Sequence, residues 1–169
     1  DDESPLKSNV SRKVLNLNRI FELAQRQANM EAISSSDLLH HIIEHLRSPN
    51  FPIGEAAARL LWKIVSSSFM CHKILSSKCS ESNPIAIVLL NNLMKRTKNP
   101  ASQEFTNDDY YYNNVGALLT LSHYSPYVTS LLTDHINVLY QTCVLGDSLG
   151  LQRVAAEGLC ALLATSRPA

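Results

Sequence analysis

Glycine is scarce, with five in 169 residues, and none forms the Gly-rich loop that cradles a phosphate. Net charge is absent too: 15 basic and 15 acidic residues cancel, so no global field draws the chain to nucleic acid or to an acidic membrane. The small basic groups Lys7/Arg12/Lys13 and Lys95/Arg96/Lys98 lie in polar stretches and read as solvated charge. No apolar run approaches the roughly 18 to 20 residues that span a bilayer. The opening Asp-Asp-Glu-Ser-Pro-Leu-Lys-Ser-Asn is not a signal peptide. The four cysteines, Cys71, Cys79, Cys143 and Cys160, form no C-x-x-C pair, and three fall inside apolar helical patterns. They read as reduced, buried thiols of a cytoplasmic protein, with the nucleus as a second location, although the count alone does not exclude disulfides.

What is present is apolar material, 45% of the chain, enough for the core of one domain or one short repeat array. Apolar residues recur at three- and four-residue intervals almost throughout, which predicts an all-helical chain. Residues 1–13 are polar and expected to be disordered. A helix is expected over 14–34, with Val14, Leu17, Phe21, Ala24 and Ala28 on one face. Ser36-Asp37 resembles a helix start, and Leu38, Leu39, Ile42, Ile43 and Leu46 carry the next stripe until Ser48-Pro49 ends it.

Three later segments share one spacing. Ala57-Ala58-Arg59-Leu60-Leu61-Trp62-Lys63-Ile64 and Ala155-Ala156-Glu157-Gly158-Leu159-Cys160-Ala161-Leu162 both read A-A-x-x-L-x-x-L, and Asn114-Val115-Gly116-Ala117-Leu118-Leu119-Thr120-Leu121 keeps the frame. Small residues at the start let neighbouring helices approach, and the aliphatics fill the space beyond. Upstream of each lies a further amphipathic helix, Leu38 to Leu46, Ile85 to Met94 and Ile136 to Leu145, and shorter pieces run from Phe69 to Leu75 and Tyr127 to Leu132.

This recurring unit resembles the three-helix repeat of the armadillo family. Leu118 and Leu159 are 41 residues apart, inside the roughly 40 to 47 of armadillo and HEAT units. Leu61 and Leu118 are 57 apart, and the excess falls on a polar stretch read as an insertion at about 97–112. The resemblance implies a short right-handed α-solenoid of about three armadillo-like repeats over 35–169, preceded by the N-terminal helix. It also implies protein–protein recognition, with the long third helices lining a concave groove. Members that grip extended basic peptides use a ladder of Trp and Asn. Those positions fall here on Arg59, Gly116 and Glu157, and on Lys63, Thr120 and Ala161, so the ladder is missing and basic-peptide binding is in doubt.

One motif points elsewhere. His41-Ile42-Ile43-Glu44-His45 is an H-x-x-E-H string, the signature of the inverted zinc peptidases. On a helix, His41 and His45 share a face and could reach one zinc, with Glu44 nearby to activate water. The third ligand would have to be Glu81 or Glu104, and neither has the surrounding pattern. The simpler reading makes the string the polar side of a repeat helix. Ser122-His123 with Asp134-His135 lack a nucleophile elbow, and Cys71-His72 with Cys79 have irregular spacing. No catalytic residue, metal or cofactor is therefore expected.

The expected partner is a peptide or helical segment of another protein. By position in the repeat, Arg59, Lys63, Thr120 and Glu157 would line the groove. Tyr110, Tyr111, Tyr112, Tyr124 and Tyr127 beside the insertion either form a second contact surface or hold the insertion to the repeats. Trp62 adjoins the apolar stripe and is expected in the core or between repeats. The last helix has no evident polar cap and the chain opens on Asp1 rather than Met, which suggests a piece of a larger solenoid, or self-association through the C-terminal repeat.

Overall fold

The computed structural model describes residues 5–34, 37–76, 84–98 and 108–165. Among these the secondary structure is entirely helical: α1 (Pro5–Leu23), α2 (Gln27–Ser34), α3 (Leu38–Leu46), α4 (Phe51–Val65), α5 (Ser68–Ser76), α6 (Pro84–Lys98), α7 (Asp108–Tyr124), α8 (Pro126–Asp134), α9 (Ile136–Leu145) and α10 (Leu149–Thr165). Short breaks with local chemistry separate them. Asn50 and Ser125 precede helices with proline in the first turn, where a missing N–H costs nothing, and Ser125 Oγ accepts from Val128 N at 3.3 Å.

The N-terminus differs from the expectation of a disordered 1–13 and one helix over 14–34. α1 begins at Pro5, and a turn at residues 24–26 separates it from α2. Val10 extends the stripe of Val14, Leu17 and Phe21 by one more turn and packs on the core, while Lys7, Arg12 and Lys13 stay exposed. Polar flanks hid a helix that tertiary packing supports. Most of the expected insertion at 97–112 lies outside the described residues; 108–112 form the first turn of α7.

Helices pack in a regular order. α1 lies on α4, α4 on α7 and α7 on α10; α3 lies on α6 and α6 on α9; α2 touches α5. Within each triplet α3 packs on α4, α6 on α7 and α9 on α10. Six helices, α1, α2, α3, α4, α6 and α7, thus meet the one three places further along the chain. The core runs through the stack, with Ile42, Leu46, Leu60, Leu61, Leu89, Leu93, Leu118, Leu121 and Leu132 fully buried. Ala57 and Ala58 are fully buried as well, and their lack of bulk lets α4 approach its neighbours. No helix among the described residues is long and apolar enough to cross a membrane.

Candidate functional site

The long helices α1, α4, α7 and α10 form a row, and side chains on one side of it are only partly covered. On α4 these are Glu55, Arg59, Trp62 and Lys63; on α7, Asp109, Tyr112 and Thr120; on α10, Arg153 and Glu157. Spacings of three, four and eight residues place each set on one helix face. Cross-helix contacts join them. Trp62 and Tyr112 meet edge to face at 5.1 Å between ring centroids. Trp62 Nε1 donates to Thr120 Oγ1 at 3.2 Å, and Thr120 Oγ1 donates to Gly116 O at 2.8 Å. Tyr112 reaches towards α10, where a Cβ on Gly150 would stand 3.9 Å from its ring. Close approach depends on small residues: a Cβ on Gly54 would lie 2.8 Å from Tyr110 Cε2, and one on Gly158 would lie 2.7 Å from Leu119 Cδ1.

The four residues expected in the groove all belong to this row, but their environments differ. Arg59 is held by α1: one guanidinium nitrogen donates to Asn18 Oδ1 at 2.6 Å, and the group lies 4.8 Å over the Phe21 ring. Its Nε is buried without a hydrogen-bond partner. Arg59 therefore joins two helices instead of standing open to a ligand. Lys63 is half-buried, Thr120 is engaged with Trp62, and Glu157 is exposed and paired with Arg153 at 2.8 Å.

The tyrosines divide. Tyr110 and Tyr111 are interior; Tyr110 meets Phe51 and Tyr111 edge to face, and burial pushes its hydroxyl well above the usual phenol range. Tyr112 is half-buried in the row, Tyr124 is half-buried against His72 and His123, and Tyr127 is exposed. Sequence reasoning placed Phe21 on the apolar face of the first helix and did not single out Glu55, Asp109 or Arg153. The signal was their position on the same helix faces as the expected residues.

Glu55 is the titrating member of the row. Burial raises its pKa above the ordinary 4.5, neighbouring Asp109 raises it further, and Arg59 acts in the opposite direction. With the folded pKa above the unfolded one, folding favours the protonated acid. Its contribution is most favourable below pH 4.5 and declines as pH rises through the folded value. Glu55→Gln is accordingly expected to raise the melting temperature at pH 7 by about 1–3 °C, because the group is part-exposed and the effect screened. Below pH 4 the variant and the parent should melt together, since both carry a neutral side chain; thermal melts at the two pH values check this.

The H-x-x-E-H string lies on α3 with its polar groups outward. Glu44 contacts His40 at 3.5 Å and His41 at 3.3 Å. His45 is partly covered, and burial followed by nearby Lys13 disfavours its charged form. Among the described residues no group of three or more His, Cys, Asp or Glu could hold a metal; Glu81 and Glu104 lie outside them. Ser122, His123 and Asp134 line a shallow cleft at the α7–α8 junction. There Ser122 Oγ donates to Leu119 O at 2.7 Å, and Thr129 Oγ1 to Ser122 O at 2.8 Å, so both hydroxyls are committed to backbone. Cys71, Cys143 and Cys160 are free thiols, but against the expectation of buried cysteines only Cys71 is buried; Cys143 is partly covered and Cys160, on the outer side of α10, is exposed. Burial pushes Cys71 up to about 11, away from reactivity. Cys79 lies outside the described residues.

No protein-family model, curated protein or solved structure matches the chain. The row itself, with its aromatic centre and mixed charge, is what remains to argue from.

Proposed function

We propose that the chain is a non-catalytic protein-interaction module, an armadillo-like stack of helix triplets that binds a segment of a partner protein along the row α4–α7–α10. The observation that carries this reading is the order of packing, in which α1, α2, α3, α4, α6 and α7 each meet the helix three places on. Such an order extends a surface along the stack instead of closing it into a globule, and extended faces of parallel helices suit peptide or helix recognition. The partly covered Trp62–Tyr112 pair supplies an apolar centre of the kind that anchors interfaces. Glu55 and Asp109 on one side, with Lys63 and Arg153 among their neighbours in the row, favour an amphipathic segment carrying both charge signs over a purely basic one. A cytoplasmic or nuclear location belongs to the same proposal.

The test reverses charge where it does not support the fold. Lys63→Glu combined with Asp109→Lys leaves Trp62, Arg59 and the core untouched. Proteins retrieved from a cell lysate by the parent chain and lost by this variant, at an unchanged melting temperature, support the row as the binding surface. An expected loss of about tenfold in affinity matches the removal of one or two well-placed rim charges. Retention of every partner by the variant would reject it.

A further inference from the structure

Among the described residues, the far end of the stack is apolar and uncovered. Five of the nine large hydrophobics exposed among the described residues, Tyr140, Val144, Leu145, Leu149 and Leu163, belong to α9 and α10. The concentration is local, because α6 and α7 have α9 and α10 laid over them and, among the described residues, nothing lies over α9 and α10 in turn. Repeat-equivalent positions show the difference: Leu118 is fully buried, whereas Leu159 in the same frame is part-exposed.

The pattern on α10 is symmetric. Leu149, 84% exposed, and Leu163, 58% exposed, each stand seven residues from Ala156. Arg153 and Cys160 fill the stripe on either side of that small residue, and both are exposed. Seven residues is close to two full helical turns, so these positions form one line. If a second α10 crosses antiparallel with Ala156 at the axis, Leu149 of each copy faces Leu163 of the other, and the alanines allow the helices to approach. At about 1.5 Å rise per residue, Arg153 then lies within about 3 Å, measured along the axis, of Glu157 in the second copy. Arg153 and Glu157 now pair within one helix at 2.8 Å; across a two-fold axis the same charges give two intermolecular pairs. Tyr140 and Val144, one turn apart on α9, are exposed as well.

The geometry points to a second copy of this chain as the occupant of this end, in a closed two-fold dimer built on antiparallel α10 helices. A patch that is self-complementary in shape and charge is what an isologous interface requires. The interface shares Arg153 and Glu157 with the row proposed to bind other proteins, but its apolar residues Leu149 and Leu163 lie outside that row, and it does not depend on that reading.

Sedimentation equilibrium of the chain at about 100 µM, above the micromolar Kd of a modest interface, should give a dimer and no larger species. Leu149→Asp with Leu163→Asp should return a monomer that melts like the parent diluted below its dimer Kd. Arg153→Glu and Glu157→Arg should each weaken the dimer about tenfold, and the double swap should restore it. A monomer at every concentration would overturn the proposal and leave the face to further helices or another protein. Growth beyond a dimer would indicate head-to-tail association instead and would also overturn it, as would a dimer indifferent to the aspartates or a charge swap that restores nothing.

Discussion

Gly116→Ala is expected to lower stability by about 3 kcal/mol, the opposite sign to the gain of about 1 kcal/mol that alanine ordinarily brings to a helix interior. The cause is Trp62. A Cβ on Gly116 would overlap Trp62 Cε2 and Cζ2 and lie 2.6 Å from Cδ2, and ring carbons of a packed indole cannot rotate aside as a flexible chain end does. Tyr112 stands against the indole from α7, and the ring N–H is tied to Thr120 Oγ1. Moving the indole therefore forfeits an aromatic contact and a hydrogen bond, and it separates α4 from α7. Trp62 is the sole tryptophan, so urea unfolding followed by its fluorescence reads the site directly. Trp62→Leu, followed by circular dichroism because it removes the fluorophore, should restore part of the loss in the Gly116→Ala background, because the smaller side chain leaves room for the methyl group. A stability equal to the parent's or higher in the single variant would mean that Trp62 does not lie in this glycine notch.

Helix content and the stacking residues were legible in the sequence because they depend on local spacing. The A-A-x-x-L-x-x-L frame marks Ala57, Ala58, Leu61, Ile64, Leu118, Leu121, Ala155 and Leu162, all buried. It also marks Ala156 and Leu159, which are part-exposed because they occupy the outer side of α10. Spacing fixes which residues can be covered, and only the next layer decides whether they are.

What depends on register between helices was not legible. Arg59 is in the right frame for a groove residue, yet α1 covers it, and the contact with Phe21 and Asn18 requires knowing that α1 packs on α4. The tyrosines illustrate the same limit. Three in succession advance by about 100° each around a helix, so Tyr110 and Tyr111 turn inward while Tyr112 reaches the row. Composition alone gave all three one role. The Trp62–Gly116 fit likewise joins residues far apart in the chain, and a lone glycine in a helix pattern does not announce which side chain it accommodates.

Asn92→Leu is expected to cost about 3 kcal/mol although it preserves volume, because it strands polar groups in the interior. Asn92 Nδ2 donates to Leu46 O and to Asn114 Oδ1, each at 3.1 Å, and Lys95 Nζ donates to Asn92 Oδ1 at 3.0 Å. Asn114 Nδ2 in turn donates to Tyr110 O at 2.7 Å. Leu46 ends α3, where the last carbonyls of a helix lack an intrahelical donor. The Asn92 amide supplies one from α6 and at the same time orients the amide on α7. Three helices from two successive triplets are thereby held in one register by a chain of bonds whose two asparagines are almost completely buried. The leucine variant would leave Leu46 O and Asn114 Oδ1 without these partners in a site that water does not reach. Asn114→Leu should be costly for the same reason. The double variant should cost less than the two singles together by at least about 1 kcal/mol, since the second change removes a group the first has already orphaned. Urea titrations of the four proteins give that coupling. Additive losses, or a loss below about 0.5 kcal/mol for Asn92→Leu, would show that the amides do not act together. A coupled result would make the network the element that sets α6 against α7, and through α7 the spacing of the row on which the proposed binding surface is built.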